Sequence, residues 1–440
     1  MDEKVTEDKT SFSTSALGIL FLAVFIDLLG FGIVLPLLPF WVSSIGGSAV
    51  IYGLLVSSYS LMQFVFSPIW GRISDRRGRR PVILVGLTGT LISFILLSIT
   101  ALLFSESLLM LFLSRILGGV FTAATLPTSQ AYITDTTTGD ERAKGFGLLG
   151  AAFGLGFAIG PALGGFLSIW GYAAPALFSA VLAFINLIGG IIRLPESLDE
   201  KKREELMSLK TKRKEASPNI FKIILTNPTI MLIILLFASI SFVFSSLEAT
   251  LALFGEARFG LDESLTGFVF LIVGIVAIVT QGGILRPLSS RYADTLLISW
   301  GILALVIGFV GLSSVTDLLG MMIWVIPLAF GSSIANPALG ASLSKNAPSD
   351  VSGAVLGVNQ GSGSLMRIFG PIVGAGLFEV QETLQWLLAA GILIACLILA
   401  VVLHRIAVKP VSLSVCLNCG NQLKAGIANC GNCGFQLEVS

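Results

Sequence analysis

"LLAAGILIACLILAVVL", residues 387–403, is apolar on every face and carries no charge. A half-buried strand alternates apolar with polar residues, and a barrel strand crosses a membrane in about ten residues, so this run reads as a helix lying in hydrocarbon. The same texture fills 384–408 and recurs at 17–41, 50–70, 81–104, 107–130, 144–168, 172–193, 227–254, 264–285, 293–314, 318–343 and 353–378. Each stretch is near or above the ~20 residues a helix needs to cross a bilayer core. In chain order they are spans 1 to 12.

Composition agrees. The 440 residues are 54% hydrophobic and only 12% charged, where soluble proteins hold about 25% charged residues. The expected fold class is an all-α polytopic membrane protein. Residues 1–16 mix acids with lysines, and the first apolar run is too long for the core of a cleaved signal, so span 1 is expected to stay in the membrane. All but Arg115, Arg258 and Arg367 of the 27 lysines and arginines lie at the termini or at the loops between even- and odd-numbered spans. The positive-inside rule puts those segments, and both termini, in the cytoplasm.

One of those loops is charge-dense, "ESLDEKKREELMSLKTKRKEAS" within 194–226. It reads as a solvated linker, with lipid headgroups or a regulatory partner as further contacts. The expected organisation is a tail at 1–16, a six-helix bundle at 17–193, the linker at 194–226, a second bundle at 227–408 and a tail at 409–440. The bundles echo each other: "GPALGG" (160–165) in span 5 answers "GPIVGA" (370–375) in span 11, and "RPLSSRYAD" (286–294) answers the loop "GRISDRRGRR" (71–80). Two pseudo-symmetric halves with a pathway between them is how many carriers expose one midplane site to each side in turn.

That loop resembles the G-x-x-x-D-R-x-G-R-[RK] signature of the major facilitator superfamily, through Gly71, Asp75, Arg76, Gly78, Arg79 and Arg80. "LGFGIVLPLLP" (29–39) is similar to the first-span pattern of its twelve-span drug:proton antiporters. "RILGG" (115–119) resembles the fourth-span signature, and "GFAIGPALGG" (156–165) the antiporter signature of the fifth span. The sequence departs at Ser290 and Ala293, which stand where Asp75 and Gly78 do in the first half, and at Gly118, where many relatives have glutamine. The resemblance implies a secondary transporter in which Asp75 stabilises the closed cytoplasmic face. Physically, Asp75 can face helix N-termini or arginines, and Arg76, Arg79 and Arg80 can pair with acids such as Asp135. A loop that only fixes orientation is the plainer reading.

In span 5, Gly156, Gly160, Gly164 and Gly165 permit close backbone approach, while Pro161 removes one helical hydrogen bond. Plain small-residue packing explains the same pattern. Four charges lie inside spans: Asp27, Arg115, Glu248 and Arg367. Each costs on the order of 3 kcal/mol at the bilayer centre on insertion scales, so each is expected to face the protein interior. Asp27 is the first choice for a proton site, with Arg115 as partner, since spans 1 and 4 adjoin in the superfamily. A permanent ion pair is the alternative. Glu248 reads as a second proton site, a carboxylate for cationic substrates, or an acid in the outer mouth. Arg367 either compensates a buried acid or attracts an anion. His404 is the single histidine and lies at the end of span 12, so no histidine relay is expected. The 30 phenylalanines suit a cavity for flat lipophilic compounds, or simply face lipid.

The tail carries Cys416-x2-Cys419-x10-Cys430-x2-Cys433, each pair followed by glycine, Gly420 and Gly434. Paired C-x-x-C-G turns offer four thiolates to one tetrahedral zinc, and a reducing cytoplasm disfavours the alternative of two disulfides. With every coordination position filled, such a ribbon is structural. Binding a cytoplasmic protein, sensing metal or redox state, or assembly would each suit it. Only Lys409 and Lys424 are basic there, which disfavours nucleic acid. Cys396 reads as a buried apolar residue. No G-x4-G-K-[ST] loop and no nucleophile, base and oxyanion set is present, so the expectation is a carrier that exports small lipophilic or cationic molecules in exchange for protons, the direction being implied by the antiporter resemblance, and not an enzyme. A carrier of a sugar or organic acid, and a membrane sensor signalling through the ribbon, are the rivals.

Overall fold

The computed structural model describes residues 3–137, 139–198, 220–348 and 351–407, and all regular elements among them are helices. Twelve are long and apolar enough to cross a membrane: Leu17–Ser44, Ala49–Arg77, Arg79–Leu103, Leu108–Thr136, Gly147–Trp170 and Ala173–Arg193, then Pro228–Phe259, Glu263–Ser289, Asp294–Ser313, Leu318–Asn346, Gly353–Val380 and Leu384–Ile406. These are spans 1 to 12. Short polar caps start many of them, as with Asn227 Oδ1, which accepts from Thr229 N and Ile230 N at 3.1 and 3.3 Å, and Asp317 Oδ1, which accepts from Gly320 N at 2.6 Å. A side-chain acceptor there satisfies amides that have no partner in the first turn.

Two spans depart from a plain helix. Span 1 is helical to Val34, turns through residues 35–37, and resumes at Leu38–Ser44. Pro36 has no amide to continue the ladder, and Pro39 opens the second piece, where a missing N–H costs nothing. Span 8 widens into a π-helical turn at Thr280–Ile284, the sequence TQGGI, whose two glycines ease the wider backbone.

The packing repeats between halves. Span 1 lies on spans 5 and 6 as span 7 lies on spans 11 and 12; spans 2 and 3 lie on span 4 as spans 8 and 9 lie on span 10. Two seams join the halves, span 5 against span 8 and span 2 against span 11. Equivalent close approaches mark both. A Cβ on Gly267 would lie 2.8 Å from the Pro161 carbonyl oxygen, and one on Gly53 would lie 2.7 Å from that of Pro371. Only glycine admits such backbone contact. Hydrogen bonds reinforce both seams: Ser57 Oγ donates to Ile368 O at 2.6 Å, Val50 N to Glu379 Oε1 at 3.0 Å, and Ser264 Oγ to Gly165 O at 3.0 Å.

All these contacts lie in the half of the molecule opposite the arginine loop, called here the far end. Toward the loop end the seam loosens, and around Gly154 the nearest atom to a built Cβ is Gln281 Oε1 at 3.9 Å. Among the described residues no hydrogen bond or ion pair joins the halves there. At the far mouth a cavity of about 360 Å³ opens between Tyr52 and Ser48 of one half and Glu256, Phe378 and Glu379 of the other.

Candidate functional site

The charges within the spans are divided between the halves. Asp27, on span 1, is 9% exposed, so it faces protein rather than lipid. Neither carboxylate oxygen has a hydrogen-bond partner among the described residues, and the equally unbonded Thr125 hydroxyl of span 4 lies beside it. A buried polar atom without a partner is costly, and marks a place for a proton, a ligand or a moving side chain. Arg115, on span 4, is 3% exposed, and its Nε is also unpartnered. No ion pair joins it to Asp27 among the described residues in this conformation. Instead its guanidinium carbon stands 5.8 Å from the centre of the Tyr59 ring.

Tyr59 is a residue that the reading of charges alone passed over. Its hydroxyl lies 2.9 Å from Thr122 Oγ1 and accepts from Gln63 Nε2 at 3.4 Å, and its ring stands 5.0 Å from that of Phe31. It is within electrostatic range of Arg115, Asp27 and Arg367. The signal in the sequence is "SSYSLMQF" (57–64), where Tyr59 and Gln63 lie one turn apart on one face of an apolar span. Gly119 of the fourth-span signature makes room for this residue, while Gly118 lies at ordinary contact distance. A Cβ on Gly118 would come within 3.4 Å of the Tyr59 ring, and one on Gly119 would run into the Tyr59 carbonyl.

From the second half come Glu248 on span 7 and Arg367 on span 11, each half-buried and within electrostatic range of the other. Arg367 Nη2 donates to Ser364 Oγ at 3.0 Å. The buried Tyr52 hydroxyl, without a partner, is within range of Glu248. The four charges thus sit on spans 1, 4, 7 and 11, two on each half, with Tyr59 reaching both.

The arginine loop is knit within the first half. Arg79 is 4% exposed; its Nε donates to Asp135 Oδ2 at 2.7 Å, and its Nη1 to Asp75 Oδ1 and Ser74 Oγ, both at 2.8 Å. Glu196, which the sequence assigned to the linker, covers the start of span 3: it accepts from Arg79 N at 2.8 Å and Arg80 N at 3.2 Å. A carboxylate on a helix N-terminus complements the dipole. Arg80 Nη2 donates to Ile191 O at 2.8 Å, and Tyr132 Oη to Pro195 O at 3.1 Å, so the segment after span 6 is part of this knot. Gly78 turns the chain at φ 104°, where a side chain would be strained. Arg76 is exposed, and Gly71 has open space around it.

On span 5, built Cβ atoms on Gly156 and Gly160 would lie 2.8 Å from Leu28 Cβ and 2.9 Å from Gly32 Cα, and one on Gly164 would collide with the Ile33 carbonyl. Gly165 faces the other way, toward Glu263 O and Gly267 on span 8. One helix therefore touches both its own half and the opposite one by backbone. Cys416, Cys419, Cys430 and Cys433 lie outside the described residues.

The comparisons with known proteins agree with this architecture. A family model described as Major Facilitator Superfamily matches residues 20–371. The chain is 32% identical over 393 residues to the tetracycline resistance protein, class C, of Escherichia coli, covering 88% of this chain and 96% of that one. It is 31% identical over 407 residues to multidrug resistance protein 2 of Bacillus subtilis, covering 91% and 97%. Among solved structures, the human organic anion transporter MFSD10 superposes with a TM-score of 0.67 at 24% identity, covering 88% of this chain and 99% of that one, a likeness of fold. The protein is therefore a multi-pass membrane transporter and not an enzyme, and the chain belongs to the Major Facilitator Superfamily.

Proposed function

We propose that the protein exports small lipophilic or cationic compounds in exchange for protons, by alternating access. The observation that carries this reading is Asp27: a buried carboxylate in an apolar span, beside Thr125 and without a hydrogen-bond partner among the described residues, in a protein whose other half carries Glu248 and Arg367 within its own spans. A carboxylate so placed can be satisfied by a proton in one conformation and by a cation in the other, which makes proton and cargo alternatives for one site. Rocking of the halves, with the far-end seams parting as the loop end closes, would expose it to each side in turn. The relatives whose names include tetracycline or multidrug resistance support efflux.

The loop end is cytoplasmic on the distribution of lysine and arginine, and the chain resides in the plasma membrane with both termini inside. The far end is then closed and faces outward. The arginine knot, with Asp75 and Arg79 at its centre, acts as a latch when the halves approach at the cytoplasmic side. The four tail cysteines hold a structural zinc, on spacing alone; purified full-length protein should carry zinc that the paired changes Cys416→Ser and Cys419→Ser remove.

The transport reading is tested in everted vesicles with an imposed pH gradient, a panel of dyes and drugs, and Asp27→Asn beside the parent. Gradient-driven accumulation in the parent, reduced at least about tenfold in the variant, is the expected result. Accumulation that survives in Asp27→Asn removes Asp27 from the coupling. A parent that moves neutral sugars or organic acids instead reassigns the cargo.

A further inference from the structure

The cavity at the far mouth is separate from the charges deeper in the spans. It holds about 360 Å³, within the range of small-molecule sites, and both halves wall it. Val42 and Tyr52 come from the first half, and Leu253, Glu256, Phe378 and Glu379 from the second. Glu256 stands about two helical turns, ~12 Å along span 7, from Glu248, and the inner acid does not line the chamber.

Two carboxylates line the chamber, and among the described residues no lysine, arginine or histidine does. Glu263 lies within electrostatic range of Glu256 and adds a third negative charge to the mouth. Arg258, just after Glu256, stands 3.8 Å from Glu382 instead. Glu379 Oε1 accepts from Val50 N across the seam at 3.0 Å, which holds that carboxylate at the rim. Val42, Leu253 and Phe378 supply apolar wall. Tyr52 is 1% exposed, and its hydroxyl has no hydrogen-bond partner among the described residues. A buried hydroxyl in that state calls for a partner that the chain does not supply. A chamber that is negative, largely apolar and partly aromatic suits a cation with an apolar body, and its acids repel an anion.

The geometry points to a second binding site in the far-mouth cavity, one for a small lipophilic organic cation, walled by both halves and complete only while the far-end seams are shut. An occupant there touches both halves at once, so it favours the closed mouth by the affinity it would lose on their parting. Cation that builds up beyond the mouth then opposes the opening that would release more. The inference goes beyond the exchange proposed at Asp27, and rests on that reading only for which side of the membrane the mouth faces.

Purified protein, with no gradient, is photolysed with an aryl azide bearing trimethylammonium or with its neutral tert-butyl isostere, each at a concentration where yield follows affinity. Incorporation at residues 39–52, 253–257 and 378–379 is read by peptide mass spectrometry. The parent should take up the cation there about tenfold better than the isostere. Glu256→Gln and Glu379→Gln should each lower cation incorporation by about three- to fivefold, the range of a half-exposed ion pair, and leave the isostere unchanged. Glutamine keeps an acceptor for Val50 N, so charge is lost without the seam contact. Gly165→Ala, which penalises closure at the other seam, should lower incorporation of both probes by about twofold or more. The inference is overturned if the parent takes no cation at these residues, if the isostere enters as well, or if either glutamine variant leaves cation incorporation unchanged. It is overturned too if the glutamine variants lower both probes alike, which would make the carboxylates parts of the wall alone, or if Gly165→Ala has no effect. Transport is scored separately: a protein that exchanges cations but is not labelled at the mouth loses only this inference, and one labelled there that moves only sugars loses only the exchange reading.

Discussion

Arg79 shows how one side chain can organise a surface that looks, in sequence, like undifferentiated positive charge. Of the five arginines in 71–80 it alone is buried, and among the described residues it alone bridges two carboxylates, Asp75 and Asp135. Replacing it by leucine leaves both acids facing a site from which water is largely excluded. The expected cost is about 2–4 kcal/mol, read as a lower unfolding temperature in detergent. Lysine should recover only part, because a point charge cannot serve Asp75, Asp135 and Ser74 with a planar fork. The signature singled out Asp75, Gly78 and Arg79, which the fold draws into the knot, together with Gly71 and Arg76, which stand in the open; it could not predict Glu196. That carboxylate follows span 6 by sequence and reads as the first acid of a charged tether, and only folding brings it over the amides of Arg79 and Arg80. Long-range capping leaves no local pattern to read.

Span 5 is the element on which the two levels of packing meet. Its Gly160 meets span 1 within the same half, while Gly165 meets span 8 across the seam. The two alanine variants should therefore differ. At Gly160 the added methyl crowds Gly32 Cα and the Leu29 carbonyl at 2.9 Å, and overpacking of about 1–3 kcal/mol should appear as reduced thermal stability. At Gly165 the methyl meets Glu263 O at 2.6 Å between the halves, so closure at the far end is penalised and transport should fall with little change in melting. Equal effects on melting would show that the seam and the bundle interior are not separable. The twelve helices themselves were legible, because a bilayer demands long apolar runs and leaves little else to choose. The break in span 1 was signalled by Pro36 and Pro39, whereas the π turn of span 8 was not: two adjacent glycines are compatible with many backbone shapes, and packing selects one.

At the scale of the whole molecule, the far end carries a polar bond that depends on proton concentration. Tyr172, just before span 6, donates to Glu263 Oε1 of the opposite half at 3.0 Å and stacks on Trp41 with ring centres 5.1 Å apart. Burial, and then the Glu263 carboxylate beside it, push the phenol above its ordinary value of about 10. A group whose folded value is raised contributes stability that is full below its unfolded value, starts to fall there, and is lost as pH rises through the folded one. The far-end closure should therefore hold through neutral pH and weaken in the alkaline range, with spin labels on spans 5 and 8 moving apart above about pH 10. Tyr172→Phe should remove that pH dependence and start from a looser baseline. The pairing of halves was foreshadowed by the two Gly-Pro stretches, while the place of Tyr59 within range of Asp27, Arg115 and Arg367 was legible only as far as the charges went. Tyrosine in an apolar helix raises no alarm until its neighbours in space are known.

The seams at Pro161 and Pro371 are closed by main chain against glycine, and main chain is the same whatever side chains surround it. Shutting the outer door thus makes little demand on the residues lining the chamber. A lineage could exchange those residues freely, acquiring new cargoes by small steps, without having to rediscover how to close behind them.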